Sequence, residues 1–311
     1  MLSRRNIRIK VMQILYALSR DSNQSCDHLL KQYRLSIKAS FDLYLFSLYF
    51  LIRIAQYART DAEKRQGKLL PSNEDLGFVA KLAENPLMAS LFQHAELSKY
   101  FSRLKFDAFL DTDLIRNLYQ EYAKSESYKA YVYSPDDSTE THRTVLLDLF
   151  KFCVNNESFA EILEDQFPNW IDDKSLIVGS IKKTIKALPA EFDFLEAYLP
   201  NDEAVLEFGE TLLTQVCTGD KALLAIIEPT LKNWDADRVA IIDMILLKMA
   251  VCELMYFKSI PTKVTLNEFV EISKLYSTEK SKDFINGILD RLMKQLEKEG
   301  KIAKAGRGLL D

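Results

Sequence analysis

The apolar positions along this chain recur at helical spacing from one end to the other. Ile7, Val11, Ile14, Leu15 and Leu18 fall on one face of a helix over 4–18, with Ser3 placed to cap it. Residues 26–66 read as a second helix, centred on the run "LYLFSLYFLI" from Leu43 to Ile52. "LPSNEDLG" (70–77) is a turn-rich break, and two or three more helices are expected over 78–126. "YSPDDSTETH" (133–142) reads as a polar loop. Helical patterning resumes near Thr144 and runs to about Glu164, where "FPNW" (167–170) breaks it. Further helices are expected over 172–187, 191–198, 203–217 and 220–232.

Residues 239–258, "VAIIDMILLKMAVCELMYFK", are apolar on nearly every side, as in a helix at the centre of a bundle. Ile260-Pro261 ends it. "TLNE" (265–268) has the form of a capping box opening a helix over 266–276. The last helix carries Phe284, Ile285, Ile288, Leu289, Leu292, Met293 and Leu296 on one face. Ser281 stands at its start and Gly300 at its stop. No sustained alternation of period two appears, so the fold expected is all-α.

Composition agrees. Only 9 Gly and 8 Pro interrupt 311 residues, which favours long helices. The run from Leu43 to Ile52 is bracketed by Asp42 and Arg53. That is about half the roughly 20 residues a spanning helix needs, so a buried core helix is expected and no membrane partner. The basic start followed by an apolar stretch has the outline of a leader peptide. Gln13 breaks the stretch and no small-x-small site follows, so export is not expected.

Candidate chemistry is sparse. The four cysteines lie far apart, so no C-x-x-C motif exists, and free thiols in a reducing cytoplasm are expected. The three histidines are isolated, and no glycine-rich phosphate loop or nucleophile elbow appears. No cofactor, metal or catalytic residue is expected.

Charge is more informative. The chain carries 45 acidic against 41 basic side chains, yet it opens on Arg4, Arg5, Arg8 and Lys10 with no acid before Asp21. Cations at a helix start oppose the helix dipole, and a bound anion would reverse that sign. Arg5, Ile9, Met12 and Tyr16 form a stripe beside the buried face. Arginine on phosphate and tyrosine stacking on a base are the means by which proteins bind single-stranded RNA. A second basic patch, Lys280 and Lys282 with Phe284, opens the last helix. Asn286 reads as a buried structural amide, and Gly287 as a point of close helix crossing. On charge alone, a solvated basic helix start with a core-edge tyrosine is the favoured reading of the first cluster.

"RRNIRIKVMQILYAL" resembles the opening of the NusB transcription antitermination family. "LLKMAVCELMYFKSIPTKVTLNEFVEISKLYSTEKSKDFINGILDRL" is similar to that family's L-R-x-A-x-x-E-L, I-P-x-x-V-x-I-N-E-x-V-E-x-A-K and F-V-N-G-V-L-D segments, in order. The resemblance is clear over about 1–20 and 235–295, and weaker over "SLIVGSIKKTIK" (175–186). It implies a first helix with a basic RNA arm at 1–20, a helical insertion over 21–145, and a NusB-like helical core over 146–311.

It further implies a non-enzymatic cytoplasmic factor that binds boxA-type RNA together with the ribosomal protein NusE. That pair would support an elongation complex on ribosomal RNA operons. Arg4, Arg5, Arg8, Lys10, Tyr16, Lys280, Lys282 and Phe284 then match the RNA face, and Asp237 and Asp243 the region that meets NusE. Lys248 stands where the family usually has Arg, and Lys280 where relatives are often acidic. Two other readings remain: an accessory domain like the one at the N-terminus of ribosomal RNA cytosine methyltransferases, and a helical interaction protein without RNA binding. No Rossmann-like domain is visible to support the first. The intact basic start argues against the second.

Overall fold

The computed structural model describes residues 1–20, 24–231 and 239–304. The chain is all-helical, with no strand among the described residues. It divides into two compact units, one made of Lys38–Leu199 with Met1, the other of Leu2–Ile37 with Pro200–Asp311.

The first unit is organised around the long helix Cys26–Gln66, whose residues from Lys38 onward belong to it. By length and composition this helix could cross a membrane, but 72% of its most apolar window is buried inside the protein. Leu43, Leu45, Phe46, Leu48 and Phe50 are fully buried. A helix apolar all round is stable in water only when other helices cover every face. Aromatic rings do much of that covering. Phe50 stacks on Phe159 at 4.7 Å, Tyr44 on Tyr198 at 4.9 Å, and Phe46 meets Phe106 edge-on at 5.2 Å. One continuous apolar cluster runs from Phe41 to Tyr198.

Several elements of this unit differ from the pattern reading, each for a local reason. The break at 70–77 contains a short helix, Asn73–Gly77, because Ser72 and Asp75 cap one another. Over 78–126 the chain folds into four short helices and a 3₁₀ turn, ahead of the helix Glu126–Tyr133, rather than two or three longer helices. The polar loop ends early: Ser138 accepts from the Thr141 amide and starts a helix at Thr139. Asn156 caps the next helix, splitting the expected single helix in two. The expected boundary at 145/146 falls within the helix Thr139–Asn155.

In the second unit the first helix runs Arg4–Arg20. Ser3 caps it: the Asn6 amide donates to Ser3 Oγ at 3.3 Å, while the Ser3 amide donates to Asn6 Oδ1 at 3.0 Å. Ile7, Val11 and Leu15 are buried as the spacing requires. The central helix Ile241–Tyr256 is buried on nearly all sides. The first helix and the helices Thr211–Thr218, Asp220–Ile227, Thr262–Tyr276 and Ser281–Lys298 pack against it.

Glu203–Glu210 forms a wider, π-helical turn. There the Tyr33 hydroxyl donates to the Val205 carbonyl at 3.0 Å. A Cβ on Gly209 would lie 1.9 Å from that hydroxyl, so the approach requires glycine.

The capping box expected at Thr265 and Glu268 does not form. The helix begins at Thr262, directly after Pro261, so both residues lie inside it and their side chains are free for other partners. Gly287 is no crossing point either, since nothing lies within 4 Å of a Cβ built there. Asn286 is exposed rather than buried, and Phe284 is only partly covered. The apolar face of the last helix is carried by Ile285, Ile288, Leu289, Leu292 and Leu296.

Candidate nucleic-acid interface

The basic start of the first helix separates into two layers. Arg4 and Arg5 lie outside, with side chains 40% and 45% exposed. Arg8 is buried, and so is Lys10. Arg8 lies one turn beyond Arg4 on nearly the same face; it is buried because Glu253, Phe208 and Phe269 cover it there, whereas Arg4 at the helix start meets the exposed Glu203 and the rim of Phe208.

Arg8 is met there by Glu253, an acid inside an otherwise apolar helix. Its Nε and one terminal nitrogen each donate to Glu253 at 2.7 Å, a bidentate pair with both side chains almost fully buried. Thr265 Oγ1 donates to the same carboxylate at 2.8 Å. The Arg8 guanidinium also lies 5.1 Å from the centre of the Phe208 ring and 5.8 Å from that of Phe269. Thr265, expected at a cap, is thus part of a buried polar network. Arg8 and Lys10, matched by resemblance to the RNA arm, are inside the fold, and the geometry gives Arg8 an anchoring task.

Arg5 holds Glu268 bidentately, at 2.8 and 2.7 Å. The hydrogen-bonded Arg5 guanidinium holds the Glu268 carboxylate below its usual range, against the opposing effect of burial. Glu268 reaches back to Arg8 only at 3.5 Å. Arg4 makes a single contact to Glu203 at 2.8 Å, an ordinary surface pair.

Tyr16 is partly exposed. Its hydroxyl accepts from Arg20 at 2.8 Å, and the Arg20 guanidinium lies 5.2 Å from the ring centre. The expected stripe bends inward at Met12, which is buried. Lys280 and Lys282 are exposed at the start of the last helix, and among the described residues neither holds a carboxylate.

Of the acids expected to face a partner, Asp237 lies outside the described residues. Asp243 is buried and accepts from Ser281 Oγ at 2.7 Å, so its carboxylate ties the central helix to the first turn of the last. Its other oxygen finds no hydrogen-bond partner among the described residues. Ser281 serves this bond rather than capping its own helix.

Lys248 pairs with Asp220 at the edge of a cavity of about 490 Å³ lined by Leu15, Leu18, Val216, Ile241 and Met244. The residues that pattern reading missed are the acids. A visible signal existed for Glu253, because a carboxylate in an all-round apolar helix requires a buried cation.

The NusB family model matches residues 180–294. A transcription antitermination protein NusB of Salinibacter ruber is 38% identical over 112 residues, covering 36% of this chain and 70% of the relative. One from Listeria monocytogenes is 39% identical over 112 residues, covering 33% of this chain and 88% of the relative. One from Chloroherpeton thalassium is 47% identical over 79 residues, covering 25% and 37%. No solved structure matches the chain.

Proposed function

Because this chain belongs to the NusB family of transcription antitermination factors, we propose that it binds boxA-type single-stranded RNA together with the ribosomal protein NusE, in the cytoplasm, and so supports transcription of ribosomal RNA operons. The observation that carries the reading is the layered basic helix start. Arg8, locked on Glu253, fixes the first helix, and that fixed helix presents Arg4 and Arg5 half-exposed at its anion-attracting end.

In this reading Arg4 and Arg5 meet phosphate, Tyr16 stacks on a base, and Lys280, Lys282 and Phe284 form a second contact at the start of the last helix. Arg8 and Lys10 support the surface from beneath. Asp237 belongs to the partner face, while Asp243 supports it indirectly through Ser281. Residues 21–145 lie outside the family match at 180–294 and belong to an addition to the family core. No catalytic step is proposed.

The test is binding of a boxA-type RNA to the full chain, with and without NusE, across a salt series. Weak binding alone and tighter binding with NusE are expected. Each phosphate contact contributes about 0.7 to the slope of log affinity on log salt. Lys280→Ala and Lys282→Ala are expected to flatten that slope, and an affinity indifferent to salt and to both substitutions refutes the assignment.

A further inference from the structure

Two arginines one turn apart on the first helix hold carboxylates in the same forked geometry, yet the two pairs differ in what they can do. Arg8–Glu253 is closed. Both side chains are almost fully buried, and Thr265 adds a third hydrogen bond to the carboxylate. Removing either partner would strand a buried charge. Arg5–Glu268 is open: Arg5 is 45% and Glu268 20% exposed, and both Glu268 oxygens are spent on Arg5.

Among the described residues the one other polar contact of Glu268 is the 3.5 Å approach of Arg8 Nη1, while Glu253 holds Arg8 Nε and Nη2. When Glu268 leaves, Arg8 Nη1 gives up only that long contact, and the Arg8 charge stays paired with Glu253. The fork that Arg5 offers to Glu268 is also the fork that binds phosphate: two parallel N–H donors to two oxygens of one anion.

We propose that Glu268 is an internal stand-in for an RNA phosphate, holding Arg5 pre-set for a bidentate anion and yielding its place when RNA arrives. This rests on the RNA-binding reading above. The exchange breaks two N–H···O bonds to carboxylate and makes two to phosphate, and the freed Glu268 turns to solvent.

Two consequences separate this from a fixed ion pair. The first concerns salt. Affinity falls with salt because bound cations are released as the protein's own positive charges replace them. Arg5 is already neutralised by Glu268, so its contact trades one anion for another and adds nothing to the slope. The second concerns discrimination. A weakly placed phosphate cannot displace the carboxylate, so Glu268 suppresses binding of RNA that does not fit the rest of the surface.

The experiment measures fluorescence anisotropy of two labelled RNAs, a boxA-type oligonucleotide and oligouridine of equal length. Both are titrated with the full chain plus NusE from about 50 to about 300 mM salt. Glu268→Gln is expected to tighten boxA binding at low salt by roughly 1.5- to 5-fold, the strength of a half-exposed ion pair. It is expected to steepen the slope by about 0.7, and to tighten oligouridine binding by a larger factor than boxA.

Adding Arg5→Ala to Glu268→Gln should abolish all three effects. Glu268→Ala provides the same readout if the glutamine variant folds poorly. Weaker binding at an unchanged slope in Glu268→Gln shows a fixed strut and overturns the proposal, as does no change at all. If the wild-type chain binds neither RNA in the presence of NusE, the functional reading itself fails, and the proposal with it.

Discussion

Arg8→Met isolates the anchoring role of the first helix. The substitution keeps an unbranched apolar side chain beside Phe208 and Phe269 but leaves the Glu253 carboxylate fully buried with Thr265 as its remaining donor among the described residues. A unit charge pair about 4 Å apart is worth about 4 kcal/mol at an effective dielectric constant of 20. Breaking a buried pair from one side costs about 3–5 kcal/mol. The expected loss is therefore about 3–4 kcal/mol, read by urea unfolding followed by circular dichroism, with faster amide exchange in the first helix. Glu253→Leu placed on top of Arg8→Met removes the stranded charge and is expected to recover most of the loss, since a buried pair replaced by apolar groups is often neutral or better. A loss below about 1 kcal/mol in the single variant would match an exposed pair and refute the buried geometry. RNA binding gives the second arm. If Arg8 only anchors, the double variant regains boxA affinity along with stability. If stability returns and affinity does not, Arg8 touches RNA and the two-layer arrangement is wrong.

Gly287→Ala meets open space on a helix, so it should stabilise the protein by about 1 kcal/mol in thermal unfolding. Gly209→Ala has the opposite sign, because the new methyl would overlap the Tyr33 hydroxyl. A loss of at least about 1–3 kcal/mol is expected, and Tyr33→Phe in the same chain should relieve part of it. Ser281→Ala withdraws the hydroxyl that Asp243 accepts from, with an expected cost of about 1–3 kcal/mol in urea unfolding. Acid titration tests Glu268. Its folded pKa is depressed, so its contribution is present above its unfolded value near 4.5 and is lost as pH falls through the lower folded value. Glu268→Gln should therefore flatten the dependence of stability on pH below about 4.5 and leave it unchanged near neutrality.

Periodicity placed the helices well wherever one face was consistently apolar. The first helix, the long helix Cys26–Gln66 and the central helix all stand where the pattern put them. It failed where a short polar side chain decided the outcome. Ser138 and Asn156 redirected the backbone by capping, and hydrophobic spacing does not register such bonds. Thr265 and Glu268 show the converse. A legible cap motif went unused because Pro261 set the helix start one turn earlier, releasing Thr265 to Glu253 and Glu268 to Arg5, the latter more than 250 residues away.

The sequence by itself determined the helical class, the burial of the Leu43–Ile52 run and the basic character of the first helix, because each depends only on residue type and local spacing. It could not rank the arginines. Arg4, Arg5 and Arg8 are chemically identical, and a helical wheel separates them by angle without saying what fills each direction. Only the tertiary structure brought Glu253 to one and Glu268 to another. Burial then decided that Arg8 is locked in place while Arg5 keeps an exchangeable partner, since removing a charge from water binds it to its counter-ion far more firmly than an open surface does.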